Sequence, residues 1–132
     1  MRDRAVSYTI RNIEEVEDSA AKFGFGEFQE ARFPRGALDA DTTGLAHIRV
    51  RPGKRQPFAH VHHRTEEIYV VLSGGGRVKL DDAIEEVGRL DAIRVGPGVV
   101  RAFEAGPDGL ELLVFGPHAA DDRGDMIHDH WD

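Results

Sequence analysis

The chain has no cysteine, so a disulfide framework and a thiolate metal site are both ruled out. Any transition-metal centre must be built from imidazole and carboxylate, a donor set suited to iron, manganese, nickel, zinc or copper. The missing disulfides also agree with a cytoplasmic protein. Long apolar runs are absent, and the longest candidates are strand-sized, so no membrane span is expected. Arg2 and Arg4 near the N-terminus have no apolar stretch behind them, which argues against a secretory signal. Positive charge is scarce: 17 Lys and Arg stand against 24 Asp and Glu, a net −7. Nucleic-acid binding calls for a basic face, so it is not expected either. Long helical patterns are also missing, and 15 glycines with 6 prolines cut the 132 residues into many short elements.

What remains is an alternating, strand-like pattern over a length that suits one domain, residues 1–132, with one core. Val6 to Ile10 reads as a short edge strand, and Ile13 to Lys22, richer in Glu and Ala, as a helical turn. Phe23 to Phe28 alternates rings with glycines and reads as a loop or strand laying Phe side chains on the core. From Leu45 the period-2 signal strengthens: Ala46, Ile48 and Val50 alternate with His47, Arg49 and Arg51. His47, on the charged face, is expected to be exposed. Further strands are read at 67–72, 78–80, 84–87, 91–95, 99–104 and 110–115. Glycine turns are expected at Ser73 to Gly76, Gly96 to Gly98 and Gly106 to Gly109. Short strands at this spacing indicate an all-β antiparallel sandwich or small barrel. The acidic tail from His118 to Asp132 is expected to be loosely ordered, with Trp131 docked on the body.

The chemistry concentrates at His60-Val61-His62-His63-Arg64-Thr65-Glu66-Glu67. In an extended chain alternate side chains share a face, so His60 and His62 point the same way. On the strand that follows, Glu67, Tyr69 and Val71 share one face, and Ile68, Val70 and Leu72 share the other. Both faces are apolar after Glu67, which suits packing against a second sheet or a second subunit. Imidazoles and a carboxylate directed into such an interior need partners, because unpaired buried charge is costly. A divalent metal would supply one; a polar loop that stays in water is the alternative.

These residues resemble the first motif of the cupin superfamily, small jelly-roll β-barrels. The run His60-x-His62-x4-Glu67-x6-Gly74 fits that motif, with Gly53 one place further upstream than the usual pattern. The resemblance covers about residues 44–116, leaving 1–43 as an N-terminal strand and loops and 117–132 as a tail. It implies a cupin-type jelly-roll barrel in which His60, His62 and Glu67 are metal ligands. The second motif departs from the family pattern. Anchored on Gly98, its metal-binding histidine becomes Arg101 and its asparagine becomes Ala105. Arginine stays protonated and cannot coordinate a cation in the ordinary way.

Two arrangements follow. In one, His60, His62 and Glu67 form a three-ligand face on a divalent ion such as iron, manganese, nickel or zinc, and Arg101 swings aside or binds an anionic ligand. In the other no metal binds, and Arg101 neutralises Glu67 directly. Two positive centres ~4 Å apart repel by about 4 kcal/mol per unit charge at an effective dielectric near 20, so the arginine weakens metal binding without abolishing it. The metal-bearing arrangement is the expectation, with Tyr69 and Arg101 as substrate contacts. The resemblance then implies a metal-dependent enzyme on a small molecule, an oxygenase or isomerase. A metal-free binding module for a small anion is the alternative. Cupins often pair, so a homodimer is expected.

Overall fold

The computed structural model describes residues 7–132. Arg2, Arg4 and Val6 lie outside the described residues, and residues 7–10 have no sheet partner, so the edge strand expected at Val6 to Ile10 is not seen in its described part. Asn12 and Asp18 each accept a backbone N–H two residues on, which starts a 3-10 turn at Ile13–Glu15 and a single helical turn, α1, at Ser19–Lys22.

The remaining regular structure among the described residues is antiparallel β. The strands are β1 (Gln29–Arg32), β2 (Thr43–Val50), β3 (Ala59–Val61), β4 (Glu67–Leu80), β5 (Ala83–Gly88), β6 (Ala92–Val95), β7 (Arg101–Pro117) and β8 (Asp125–Ile127). They form one curled sheet in the order β1-β2-β7-β3-β8, with β4 joining β7 to β5 and β6. This is the all-β jelly-roll architecture expected of the sequence.

The ladder between β4 and β7 is the spine, and here the glycine runs were misleading. Ser73 to Gly76 is not a reversal: β4 passes straight through it. Likewise β7 runs unbroken from Arg101 to Pro117. The two glycine runs lie opposite one another. Gly74 pairs with Leu110 and Gly76 with Ala105, so residues 106–109 form a widened excursion across from Gly75. The strands approach so closely here that a Cβ on Gly76 would stand 1.9 Å from the Glu104 carbonyl oxygen. Glycine is required for contact, not for a turn.

Alternation then directs Ile48, Val50, Tyr69, Val71, Phe103, Leu110, Leu112 and Val114 into one core. Phe103, Val71 and Leu112 are wholly enclosed at 0% exposure. Each such side chain contributes about 1.5–3 kcal/mol by leaving water. The opposite face of β4 is only partly covered: Ile68 and Val70 are half-buried and Leu72 is exposed.

His47 departs from expectation. It points away from the core, as the alternation requires, but it is buried. Glu111 on the adjacent β7 places Oε2 2.7 Å from His47 Nε2 and also takes Arg49 Nε at 3.1 Å. A neighbouring strand's side chains can bury an outward face.

The tail departs as well. Its β8 pairs with β3, and Trp131 does dock, stacked 4.7 Å from the Arg55 guanidinium and 5.6 Å from that of Arg77.

Candidate ligand site at the barrel mouth

Three elements bring the singled-out residues together. The short β3 carries His60 and leads into the loop bearing His62. The first residue of β4 is Glu67, with Tyr69 on the same face. The first residue of β7 is Arg101, paired in register with His60. Arg101 and Phe103 share the inward face of β7, and both are buried.

Arg101 is 1% exposed, and its guanidinium is held from three sides. Nη2 lies 2.5 Å from Glu67 Oε1, Nε donates to Tyr69 Oη at 3.2 Å, and Nη1 donates to the Val99 carbonyl at 3.1 Å. Tyr69 in turn donates its hydroxyl to Glu67 Oε1 at 3.2 Å. Burial and then the Glu67 charge push the Tyr69 phenol far above its ordinary value, against the pull of Arg101, so it remains a donor. Burial alone would weaken the Arg101 proton, but Tyr69 and Glu67 outweigh it and the guanidinium is held more firmly than usual.

The imidazoles are placed differently. His62 Nε2 faces Glu67 Oε2 at 3.6 Å, beyond hydrogen-bond reach. His60 lies with its ring centroid 6.2 Å from that of His62 and packs edge-on against Phe58 at 5.2 Å. Burial lowers the His60 pKa; Glu67 opposes this, while His62 and Arg101 reinforce it, so the ring is neutral at neutral pH.

Among the described residues, no group of three or more His, Asp or Glu side chains converges closely enough to hold a metal ion. One Glu67 oxygen already serves a fixed guanidinium. As placed, His60, His62 and Glu67 do not gather as a metal cluster, and Arg101 compensates Glu67 through Oε1 while Oε2 faces His62.

Asp122 was not singled out from the sequence. It is a buried acid in the tail whose Oδ1 accepts the His63 backbone N–H at 3.0 Å. Its Oδ2 accepts from the backbone of Arg64 at 2.8 Å and of Thr65 at 3.0 Å, and from the Thr65 hydroxyl at 3.2 Å. The His63 bond first, then those of Arg64 and Thr65, hold its carboxyl well below the usual range despite burial. The Asp122 carbonyl also accepts from His62 Nδ1 at 3.0 Å.

In front of His62 and Glu67 opens a cavity of about 580 Å³. Its apolar wall includes Phe33, Leu45, Val114 and Phe115, and Arg35 and Arg123 also line it; Arg35 Nη1 donates to the Ala40 carbonyl at 2.8 Å. Its two carboxylates are already answered, Glu67 by Arg101 and Asp122 by backbone N–H groups. The arrangement can receive a molecule with an apolar body and an anionic group.

The fold and this mouth define a cupin-type barrel, and comparison with known proteins agrees. The model of the Cupin domain matches residues 46–116, and the chain belongs to that family. Among solved structures, a cupin protein from Bacteroides fragilis superposes with TM-score 0.70 at 22% identity, covering 94% of this chain and 95% of that one. The polyketide cyclase RemF from Streptomyces resistomycificus gives TM-score 0.67 at 24% identity, covering 92% and 88%. A salicylate 1,2-dioxygenase from Pseudaminobacter salicylatoxidans gives 0.66 at 16% identity, with 82% of this chain aligned to 34% of that one. At these identities the likeness establishes the fold alone. No match to a curated protein was found.

Proposed function

We propose that this cupin binds a small organic anion at the barrel mouth, with the Arg101 guanidinium standing where a resident metal ion would otherwise compensate Glu67. The carrying observation is the enclosed Arg101–Glu67 contact behind a cavity with apolar walls and two arginines. Arg35 and Arg123 would recognise a carboxylate, for which the guanidinium fork is matched. The wall containing Phe33 and Phe115 suits a planar or aromatic body. His62 and the free Glu67 oxygen would bond a hydroxyl or carbonyl on the ligand.

The test is thermal unfolding of untagged protein in a panel of aromatic and aliphatic carboxylates, with metal content measured on the same sample. A binder at a hundred times its Kd stabilises by about 2.7 kcal/mol. That shift should appear without metal and disappear in Arg35→Ala/Arg123→Ala. Stoichiometric metal that His62→Ala removes would overturn the proposal.

Such a result would favour a second reading, a metal-dependent oxygenase or isomerase using His60, His62 and Glu67. The observation on its side is that His62 turns a ring nitrogen toward Glu67 while the other is held by a backbone carbonyl, an orientation also found in metal-ligating histidines. It would use Glu67 Oε2 beside the Arg101 guanidinium on Oε1, against the repulsion between two cations. A cytoplasmic homodimer joined through the Ile68, Val70 and Leu72 face belongs to the same proposal; sedimentation equilibrium would test it, and a monomer would remove it.

A further inference from the structure

A carbonyl oxygen can only accept a hydrogen bond, so the 3.0 Å contact between His62 Nδ1 and the Asp122 carbonyl requires the proton on Nδ1. Nε2, 3.6 Å from Glu67 Oε2, makes no hydrogen bond that would require a proton there. The carbonyl reaches the ring because the Asp122 side chain fastens its own backbone onto the loop that follows His62, through the backbone N–H groups of His63, Arg64 and Thr65. A second, independent feature brings the tail this close. Gly124, at φ +84°, lies where a Cβ would stand 3.0 Å from the Val61 carbonyl oxygen and 3.1 Å from His62 Cε1.

We propose that Asp122 is a positioning residue that locks His62 in the Nδ1–H tautomer and presents a bare Nε2 lone pair to the cavity. The significance of that lone pair rests on the reading of this cavity as a ligand site. A hydroxyl or protonated group of the bound molecule would donate to Nε2, and a ligand carrying only acceptors at that point would be disfavoured. Specificity at this position is thus set by a side chain that belongs to the tail, 60 residues from His62 in sequence.

The experiment is long-range ¹H–¹⁵N correlation spectroscopy on the full chain labelled at histidine, in mildly alkaline buffer. Wild-type His62 should show a protonated Nδ1 and a bare Nε2. Asp122→Ala and Gly124→Ala should each shift it toward the Nε2–H form that imidazole prefers in water. Thr65→Val, which removes only the 3.2 Å hydroxyl contact, should leave the pattern unchanged. If Asp122→Ala fails to fold, Asp122→Asn, which keeps one acceptor oxygen against those N–H groups, takes its place. A wild-type proton on Nε2, or an unaltered pattern in the Asp122 and Gly124 variants, would overturn the inference. Because these spectra need no ligand, they separate the two claims. Wild-type protein that binds no organic anion while His62 behaves as stated would remove the proposed function and leave the positioning role standing.

Discussion

Two glutamates on this barrel are paired with arginines; their own side chains are exposed alike, at 23% and 22%, but their partners are not. Glu67 meets Arg101 inside the mouth, where the guanidinium is 1% exposed. Glu104 meets Arg55 at 2.6 Å and Arg77 at 2.7 Å on the outside, where those side chains are 46% and 41% exposed. Arg101 and Glu104 sit on opposite faces of one strand, so strand alternation alone sends one pair inward and the other outward. The outer arginines are largely hydrated and screened by salt, so each outer pair is worth little. The inner guanidinium has given up its hydration and depends on its partners. Similar residues thus make a surface network that tolerates losses in one place and a buried cation that needs its acid in the other.

The largest effect that would break this comparison is Arg101→Met. It leaves the half-buried Glu67 without its cation and should cost about 2–4 kcal/mol in urea unfolding, below the full buried-pair value because Glu67 reaches the cavity. A cost below about 1 kcal/mol would show that the inner pair behaves like the outer one. Adding Glu67→Leu to Arg101→Met should recover most of the loss, because replacing both charges by apolar groups removes the unpaired acid.

Acid sharpens the contrast next. Burial depresses His60, so in the folded protein it takes a proton less readily than in the unfolded chain, whose pKa is about 6.5. The stability it contributes is present above that pH and is lost as pH falls through its lower folded value. Glu104 is also depressed: burial raises it, but the Arg55 and Arg77 hydrogen bonds outweigh that. Its contribution is present above about 4.3 and lost only below. Wild type should therefore lose melting temperature relative to His60→Asn as pH falls below about 6.5, while Glu104→Gln should follow wild type until about pH 4.

The smallest effect belongs to Arg55→Ala and Arg77→Ala, each at roughly 0.2–1 kcal/mol. The readout there is local: Trp131 loses its two cationic faces, and its fluorescence should move toward that of a solvated indole. An unmoved spectrum in the double variant would show that the tail is held elsewhere.

Much of the barrel was legible because alternation survives in the strands: Ala46, Ile48 and Val50 fell on the buried face, and Arg101 and Phe103 both looked inward. The run 73–76 differs from a turn because Gly74 and Gly76 permit backbone contact, and 106–109 is a bulged excursion within one strand rather than a break between two; in sequence both look like turns. His47 was misread because its cover, Glu111, comes from a neighbouring strand far along the chain. The positions of His62, Glu67 and Arg101 around one mouth could be anticipated from spacing and motif alignment. Asp122 could not, since one more acid in an acidic tail carries no signal until the fold shows which loop it caps.

The guanidinium on Glu67 is a charge fastened to the chain. It cannot be stripped by a chelator, exchanged for a neighbouring element or oxidised out of place, and a cell starved of trace metals would leave its polarity unchanged. Under the proposed metal-free function, a pocket organised around it would be assembled wholly by translation and folding, with no inorganic supply.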